Sequence, residues 1–279
     1  MSAGRLVVCP TPIGNLDDVT LRVLAALREA DVVACEDTRH TRVLLDRHGI
    51  RARALVSYHE HNERTRAAEL AVRIREGAVV ALASDAGMPA VSDPGWVLVR
   101  ACIDEGLAVE VLPGASAAVV AVVASGLPAE RWTFAGFVPR RAGERERLWR
   151  AADTVVAFES PKRLAASLAS LAAVDPERPV AVCRELTKVH EEIVRGTAGE
   201  LASRYAAEAP RGEIVLVVGA PAAGVVDEER AVEAVAALVR AGARARAAAA
   251  VVAQLTGVAA NRLYRKVAAS SGGPSRSEE

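Results

Sequence analysis

The residues able to do chemistry in this 279-residue chain gather in short loops that follow apolar runs. Thr11-Pro12-Ile13-Gly14-Asn15-Leu16 makes a tight turn where a ligand can approach backbone. It is neither GxGxxG nor a P-loop, and Asn15 equally suits an ordinary turn. Cys35-Glu36-Asp37-Thr38-Arg39 pairs adjacent carboxylates with a guanidinium. Such a group can orient a sugar hydroxyl or a cation, or Asp37 or Thr38 can simply cap a helix. Tyr58-His59-Glu60-His61-Asn62-Glu63 offers two histidines, but no third and fourth ligands follow at metal spacing, so no metal site is expected. His59 or Asn62 facing a substrate, or Asn62 with Glu63 starting a helix, are the readings left.

Two turns built from small residues and aspartate come next: Ser84-Asp85-Ala86-Gly87-Met88-Pro89 and Ser92-Asp93-Pro94-Gly95. Their composition lets a ligand lie against bare backbone. Pro113-Gly114-Ala115-Ser116-Ala117 opens an Ala/Val helix whose first amides point outward. It also reads as a hinge with Ser116 as cap. Phe158-Glu159-Ser160-Pro161-Lys162-Arg163 and Arg184-Glu185-Leu186-Thr187-Lys188 both set charges directly after a strand. Surface ion pairs would explain those charges; two like-patterned loops facing one cleft would give them a function.

The elements that must position these loops alternate. Strands are expected at Leu6–Cys9, Val32–Ala34, Ala54–Ser57, Val79–Ala83 and Val109–Leu112. Between them come helices over Val19–Ala30, capped by Asp17 or Asp18, then one ending at Gly49, then Glu63–Glu76, then one from Pro94 to Gly106. Strands alternating with helices predict a mostly parallel sheet covered on both faces, an α/β fold. In such sheets ligands bind beyond the carboxyl ends of strands. The second half carries strands at Thr133–Gly136, Thr154–Phe158, Val180–Cys183, Glu192–Arg195 and Glu213–Val218, in a sheet expected to be mixed. Helices follow at Asp227–Arg240, Arg244–Leu255 and Ala259–Ala268 after a linker at Ala220–Val226. The expected division is 1–113, 114–222, a helical part at 227–268 and a disordered tail at 269–279.

Composition narrows the function. The 35 basic and 35 acidic residues cancel, which excludes a uniformly basic nucleic-acid binder but leaves room for a local patch. Aromatics at 3% argue against reading bases mainly by stacking. Cys9, Cys35, Cys102 and Cys183 are scattered and fit a reducing cytoplasm. No apolar run spans a bilayer.

Taken in order, TPIGNLDDVTLR, ACEDTRHTRVLL, HEHNE, SDAGMPAVSDPG, PGASA, FESPKRL and RELTKVHEE resemble the ribosomal RNA small subunit methyltransferase I family, within the tetrapyrrole methylase superfamily. Single motifs are weak; the ordered set is specific and covers about residues 5–268. Ala115 stands where relatives usually carry Pro, and Met88 where Thr is common, which touches detailed contacts rather than the activity. The resemblance implies two α/β domains with S-adenosyl-L-methionine in the cleft between them, a homodimer, and 2′-O-methylation of a cytidine in the decoding region of 16S rRNA. It implies a helix-turn-helix-like extension as well; Arg244, Arg246, Arg262, Arg265 and Lys266 make that part a phosphate-binding candidate. Pro139–Arg150 is a second basic candidate, diluted by Glu144 and Glu146.

Small size, strand-end placement and the resemblance assign Pro12, Ser84, Asp85, Ala86, Gly87, Met88, Ser116 and Ala117 to the cofactor. A sugar hydroxyl needs a proton acceptor, for which Glu36, Asp37, His59 and Glu185 are candidates that sequence does not rank. Asn15, Arg39, Asn62, Lys162, Arg163, Arg184 and Lys188 are candidates for holding the RNA. The rival from the same fold is a methyltransferase acting on a tetrapyrrole. A non-catalytic RNA binder using the C-terminal helices is the rival from another class.

Overall fold

The computed structural model describes residues 4–221 and 228–270. The expected tail from 271 onward, the linker residues 222–226 and Asp227 lie outside the described residues. Two compact units divide the chain, Met1–Ala220 and Pro221–Glu279.

The first unit carries strands β1 (Arg5–Cys9), β2 (Val32–Cys35), β3 (Leu55–Ser57), β4 (Val79–Ala83), β5 (Ala108–Val111), β6 (Trp132–Phe137), β7 (Thr154–Glu159), β8 (Pro179–Arg184), β9 (Glu192–Thr197) and β10 (Ile214–Val218). Its helices are α1 (Leu21–Glu29), α2 (Thr38–Arg47), α3 (Glu63–Arg75), α4 (Trp96–Asp104), α5 (Ala117–Ser125), α6 (Ala142–Trp149), α7 (Pro161–Ala172) and α8 (Ala198–Ala206). The strands form two five-stranded sheets, ordered β3-β2-β4-β1-β5 and β6-β7-β10-β8-β9. The first is parallel throughout. In the second only β6 and β7 run parallel, so it is mixed, as expected.

Both sheets are buried on two faces, which is why their strands read as continuous apolar runs rather than alternating ones. Leu6 and Val8 join Leu82 and Leu98 on one face of the first sheet. Val7 and Cys9 join Leu27, Leu44 and Leu112 on the other, the two-residue period of a strand. In the second sheet Ala157, Val182 and Leu216 face Leu164 and Leu168 of α7. Val156, Ala181 and Val217 face Ala121 and Val122 of α5. The small side chains of α5 let it lie close on that sheet with its first turn at the sheet end.

Most spans fall within two residues of expectation, and at α1 the cap differs as well. The start of α1 is capped by Thr20, whose Oγ1 accepts from Val23 N at 3.2 Å, and not by Asp17 or Asp18. Asn15 Oδ1 draws Asp17 N–H to itself at 3.1 Å and winds Leu16–Asp18 into a 3₁₀ turn, which takes both aspartates out of capping position.

The second unit holds α9 (Glu228–Arg240), α10 (Ala245–Thr256) and α11 (Ala260–Ser270), close to the expected spans. Val235, Ala249, Val252, Leu263 and Val267 form their shared core. Gly257, at φ 72°, ends α10 in the left-handed cap that lets α11 turn back. No helix among the described residues is long and apolar enough to cross a membrane.

Candidate active site

A cavity of about 310 Å³ opens where the carboxyl ends of the first sheet meet the second. Its walls are short turns. Ala86, Gly87 and Met88 come from the loop after β4, and Ser116 and Ala117 from the start of α5. Ser160 and Pro161 come from the start of α7, Gly212 and Glu213 from the approach to β10. Of the residues assigned to a cofactor by sequence, Ala86, Gly87, Met88, Ser116 and Ala117 therefore line it. Ser84 and Asp85 brace the wall through hydrogen bonds, and Pro12 is not among the lining residues. Thr11 and Gly87 exchange backbone hydrogen bonds of 2.9 and 3.0 Å. Thr11 Oγ1 donates to Ser84 O, and Ser84 Oγ to Gly87 O, both at 2.9 Å. Gly87 sits at φ 79°, which a side chain would strain. Asp85 Oδ1 accepts from Asp37 N at 3.0 Å and so ties the loop after β2 to the loop after β4. Ser116 makes no side-chain cap, which leaves the first amides of α5 open at the cavity wall.

The aromatic side of the cavity was not anticipated. All three phenylalanines of the chain, Phe134, Phe137 and Phe158, meet here. Phe158 takes both neighbours edge-on, at 5.1 and 5.6 Å between ring centres. Gly136 at φ 64° accompanies a register shift between Phe134 and Phe137, which puts Phe137 on the cavity wall with 58% exposure. A low aromatic content concealed this, because composition carries no information on clustering.

The charged candidates are mostly engaged with each other. Asp37 caps α2 and holds Arg39 with both oxygens, at 3.2 and 2.9 Å. The Arg39 guanidinium keeps the Asp37 carboxyl low, at about 2. Glu185 pairs with Lys188 at 2.8 Å, and that bond holds its carboxyl below the usual range. Lys188 also reaches Glu213 at 2.8 Å. Carboxylates held this low are weak proton acceptors. Glu36 is pushed the other way, by burial and then by Asp85. Asn62 spends its amide on Ser57 O, on the His59 ring at 3.3 Å and on His59 N–H at 2.9 Å, which closes the loop before α3. Among the described residues His59 Nδ1 is buried without a hydrogen-bond partner. Arg163 donates to Val138 O and Pro139 O and pairs with Glu159 at 3.3 Å. Arg184 pairs with Glu192 at 3.1 Å. Asn15 N–H donates to Thr187 Oγ1 at 3.0 Å, joining the two loop sets. Lys162 is exposed. In Pro139–Arg150, Arg141 and Arg150 are paired with Glu144 and Glu146, which leaves the segment a net positive charge from Arg140, Arg145 and Arg147.

One cavity residue passed over in the assignment is Asp93. It lies on the wall, and its carboxyl is raised to about 7, first by burial and then by Glu36, Asp85 and Glu213. The turn that carries it, Ser92-Asp93-Pro94-Gly95, was legible as unusual; its wall position was not. Among the described residues no group of three or more His, Cys, Asp or Glu is placed to hold a metal ion.

Two α/β sheets meeting at a cavity of small-residue turns define a class. The chain belongs to the tetrapyrrole (corrin/porphyrin) methylases, whose family description matches residues 5–202. Within that class it is similar to proteins named ribosomal RNA small subunit methyltransferase I. That of Mesorhizobium japonicum is 47% identical over 268 residues, 94% of this chain and 90% of the relative. Among solved structures, the uroporphyrin-III-C-methyltransferase of Thermus thermophilus superposes with a TM-score of 0.58 at 26% identity, over 77% of this chain and 94% of that one. Another structure of that Thermus enzyme, complexed with S-adenyl homocysteine, gives 0.55 at 21% identity, over 77% and 97%.

Proposed function

We propose that this protein transfers a methyl group from S-adenosylmethionine to the 2′-hydroxyl of a cytidine in 16S rRNA, acting as a cytoplasmic homodimer. The observation that carries the reading is the cavity between the sheets, walled by bare turns and aromatic edges, in a chain whose relatives are named as ribosomal RNA methyltransferases. When bound, S-adenosylmethionine supplies a methyl group activated by its sulfonium. The chain must hold it, align the sugar oxygen with it and keep water out. Ala86–Met88 and Ser116–Ala117 supply close backbone and open amides, while Phe137 and Phe158 offer a surface that fits a heterocyclic ring. Mapping 2′-O-methyl groups on 16S rRNA from cells with and without the gene tests the reading. An unchanged map, with methyl transfer to a tetrapyrrole precursor by the purified protein, would replace it by the small-molecule reading.

Asp85→Ala is expected to weaken S-adenosylmethionine binding about ten-fold or more by calorimetry, because the Asp37 N–H loses its half-buried acceptor and the two loops part. Equal affinity would show that Asp85 does not organise the cofactor wall.

The helical unit supplies the RNA-binding half of the proposal. Arg240, Arg244, Arg246, Arg262, Arg265 and Lys266 lie between residues 234 and 270, a stretch with no Asp or Glu. Phosphate contacts need such local clustering rather than a high total charge. Removing residues 221–279 is expected to leave S-adenosylmethionine affinity within about three-fold while methylation of small ribosomal subunits at 0.1–0.2 M salt falls about ten-fold or more. Full activity of the truncated chain would place RNA recognition in the first unit.

A further inference from the structure

We propose that Asp93 accepts the proton of the hydroxyl group that is methylated; this rests on reading the cavity as the methyl-transfer site.

The geometry singles Asp93 out. It lies on the cavity wall beside Ser92. The segment carrying it is held in an uncommon conformation, with Ala90 at φ 66°, Ser92 at φ 67° and Gly95 at φ 147°. Left-handed conformations of residues with side chains persist only where their surroundings impose them, and they cluster at functional sites. Here they turn Ser92 and Asp93 onto the wall between the loop after β4 and α4.

Its partners, or lack of them, separate it from the neighbouring acids. Asp37 is held by Arg39, Glu185 and Glu213 by Lys188, and Glu159 by Arg163. Asp85 accepts a backbone N–H. Among the described residues Asp93 makes no hydrogen bond and no ion pair. What faces it is negative: Glu36 from the end of β2, Asp85 from the end of β4, and Glu213 from the approach to β10, the last already met by Lys188. Burial and these charges together raise its carboxyl to about 7. An acceptor poised near the working pH is half ionised and still basic enough to take a proton, which the acid held by Arg39 is not.

The step balances. A bond forms between the sugar oxygen and the methyl carbon as the bond between that carbon and sulfur breaks. The sulfur leaves as a neutral thioether, the hydroxyl proton goes to the Asp93 carboxylate, and the resulting acid returns it to solvent after product leaves.

The test is single-turnover methylation of unmethylated small ribosomal subunits with labelled S-adenosylmethionine from pH 5.5 to 9, for the parent, Asp93→Asn and Asp93→Glu. The parent rate is expected to rise with pH through about 7 and then level. Asp93→Asn should lose about 100-fold in rate and lose that limb. Its calorimetric affinity for S-adenosylmethionine should stay within about three-fold, and Asp93→Glu should recover part of the rate. A raised carboxyl contributes stability below the usual carboxylate range and loses it as pH climbs to about 7, so the Asn variant should melt no lower than the parent at pH 8. An Asn variant within three-fold of the parent rate, an unchanged pH limb, or a rate loss matched by lost cofactor affinity would each overturn the role. A parent protein that binds no S-adenosylmethionine would instead overturn the reading of the cavity on which it rests.

Discussion

Glu159→Ala is expected to lower the unfolding free energy of the first unit by about 3 kcal/mol, the lower end of what breaking a buried ion pair costs. Glu159 is 2% exposed. Its carboxylate accepts from Ser160 N at 2.7 Å and from the Ser167 hydroxyl, and pairs with Arg163 at 3.3 Å. Alanine would leave a buried hydroxyl, a half-buried N–H and a guanidinium without this acceptor. Arg163 keeps two carbonyl partners, Val138 O at 2.9 Å and Pro139 O at 3.2 Å, and remains partly in water, which is why the lower end applies. Glu159→Gln retains the shape and one acceptor oxygen, and should cost about half as much. Urea unfolding of the three proteins measures the order. A loss below about 1 kcal/mol for alanine would mean that water replaces the carboxylate easily. Because Ser160 and Pro161 line the cavity, the same variant should bind S-adenosylmethionine more weakly even where it is folded.

Gly14→Val should separate stability from binding in the opposite sense. A Cβ on Gly14 would stand 2.5 Å from Lys188 Cγ, 2.7 Å from Thr187 Oγ1 and 2.8 Å from Leu186 O. The lysine stem can move; the carbonyl cannot without its loop. That loop is already constrained, with Glu185 at φ 52° and Thr187 at φ 67°. The loop after β1 and the loop after β8 must therefore part, and the Asn15 N–H bond to Thr187 breaks with them. Overpacking of this kind costs about 1–3 kcal/mol. Ile13 and Leu186 flank the contact and line the cavity, so the larger expected effect is on the ligand: an affinity for S-adenosylmethionine lower by about ten-fold or more. Calorimetry with melting curves would show it. Unaltered affinity in a variant of normal stability would mean that the two loops need not touch for the cavity to work.

Charge around the cavity is used mostly in pairs. Arg39, Arg163, Arg184 and Lys188 look in sequence like four cations waiting for phosphate. In the fold each is already bonded to a carboxylate. Arg163 and Lys188 also brace the turns around the cavity, so phosphate binding there would compete with structure. The helical unit carries Arg240, Arg244, Arg246, Arg262, Arg265 and Lys266 in the acid-free stretch 234–270, after Asp227, Glu228, Glu229 and Glu233, and the truncation removes that cluster.

The sequence alone determined the elements. Strands such as Val79–Ala83 and helices such as Glu63–Arg75 follow from apolar runs and a 3.6-residue period bounded by Gly, so their spans were legible to within a residue or so. The turns at Ala86–Met88 and Ser116–Ala117 were legible as cavity wall because small residues at strand ends leave backbone open, a property of each segment by itself. Tertiary structure decided what depends on neighbours distant in the chain. Three phenylalanines from two strands became one surface, and Lys188 was drawn to Glu213 as well as to its near neighbour Glu185. Asp93 acquired its poise from Glu36, Asp85 and Glu213, which no spacing rule connects. The physical reason is that burial and through-space charge set both pairing and proton affinity, and these exist only once the two sheets have closed on each other.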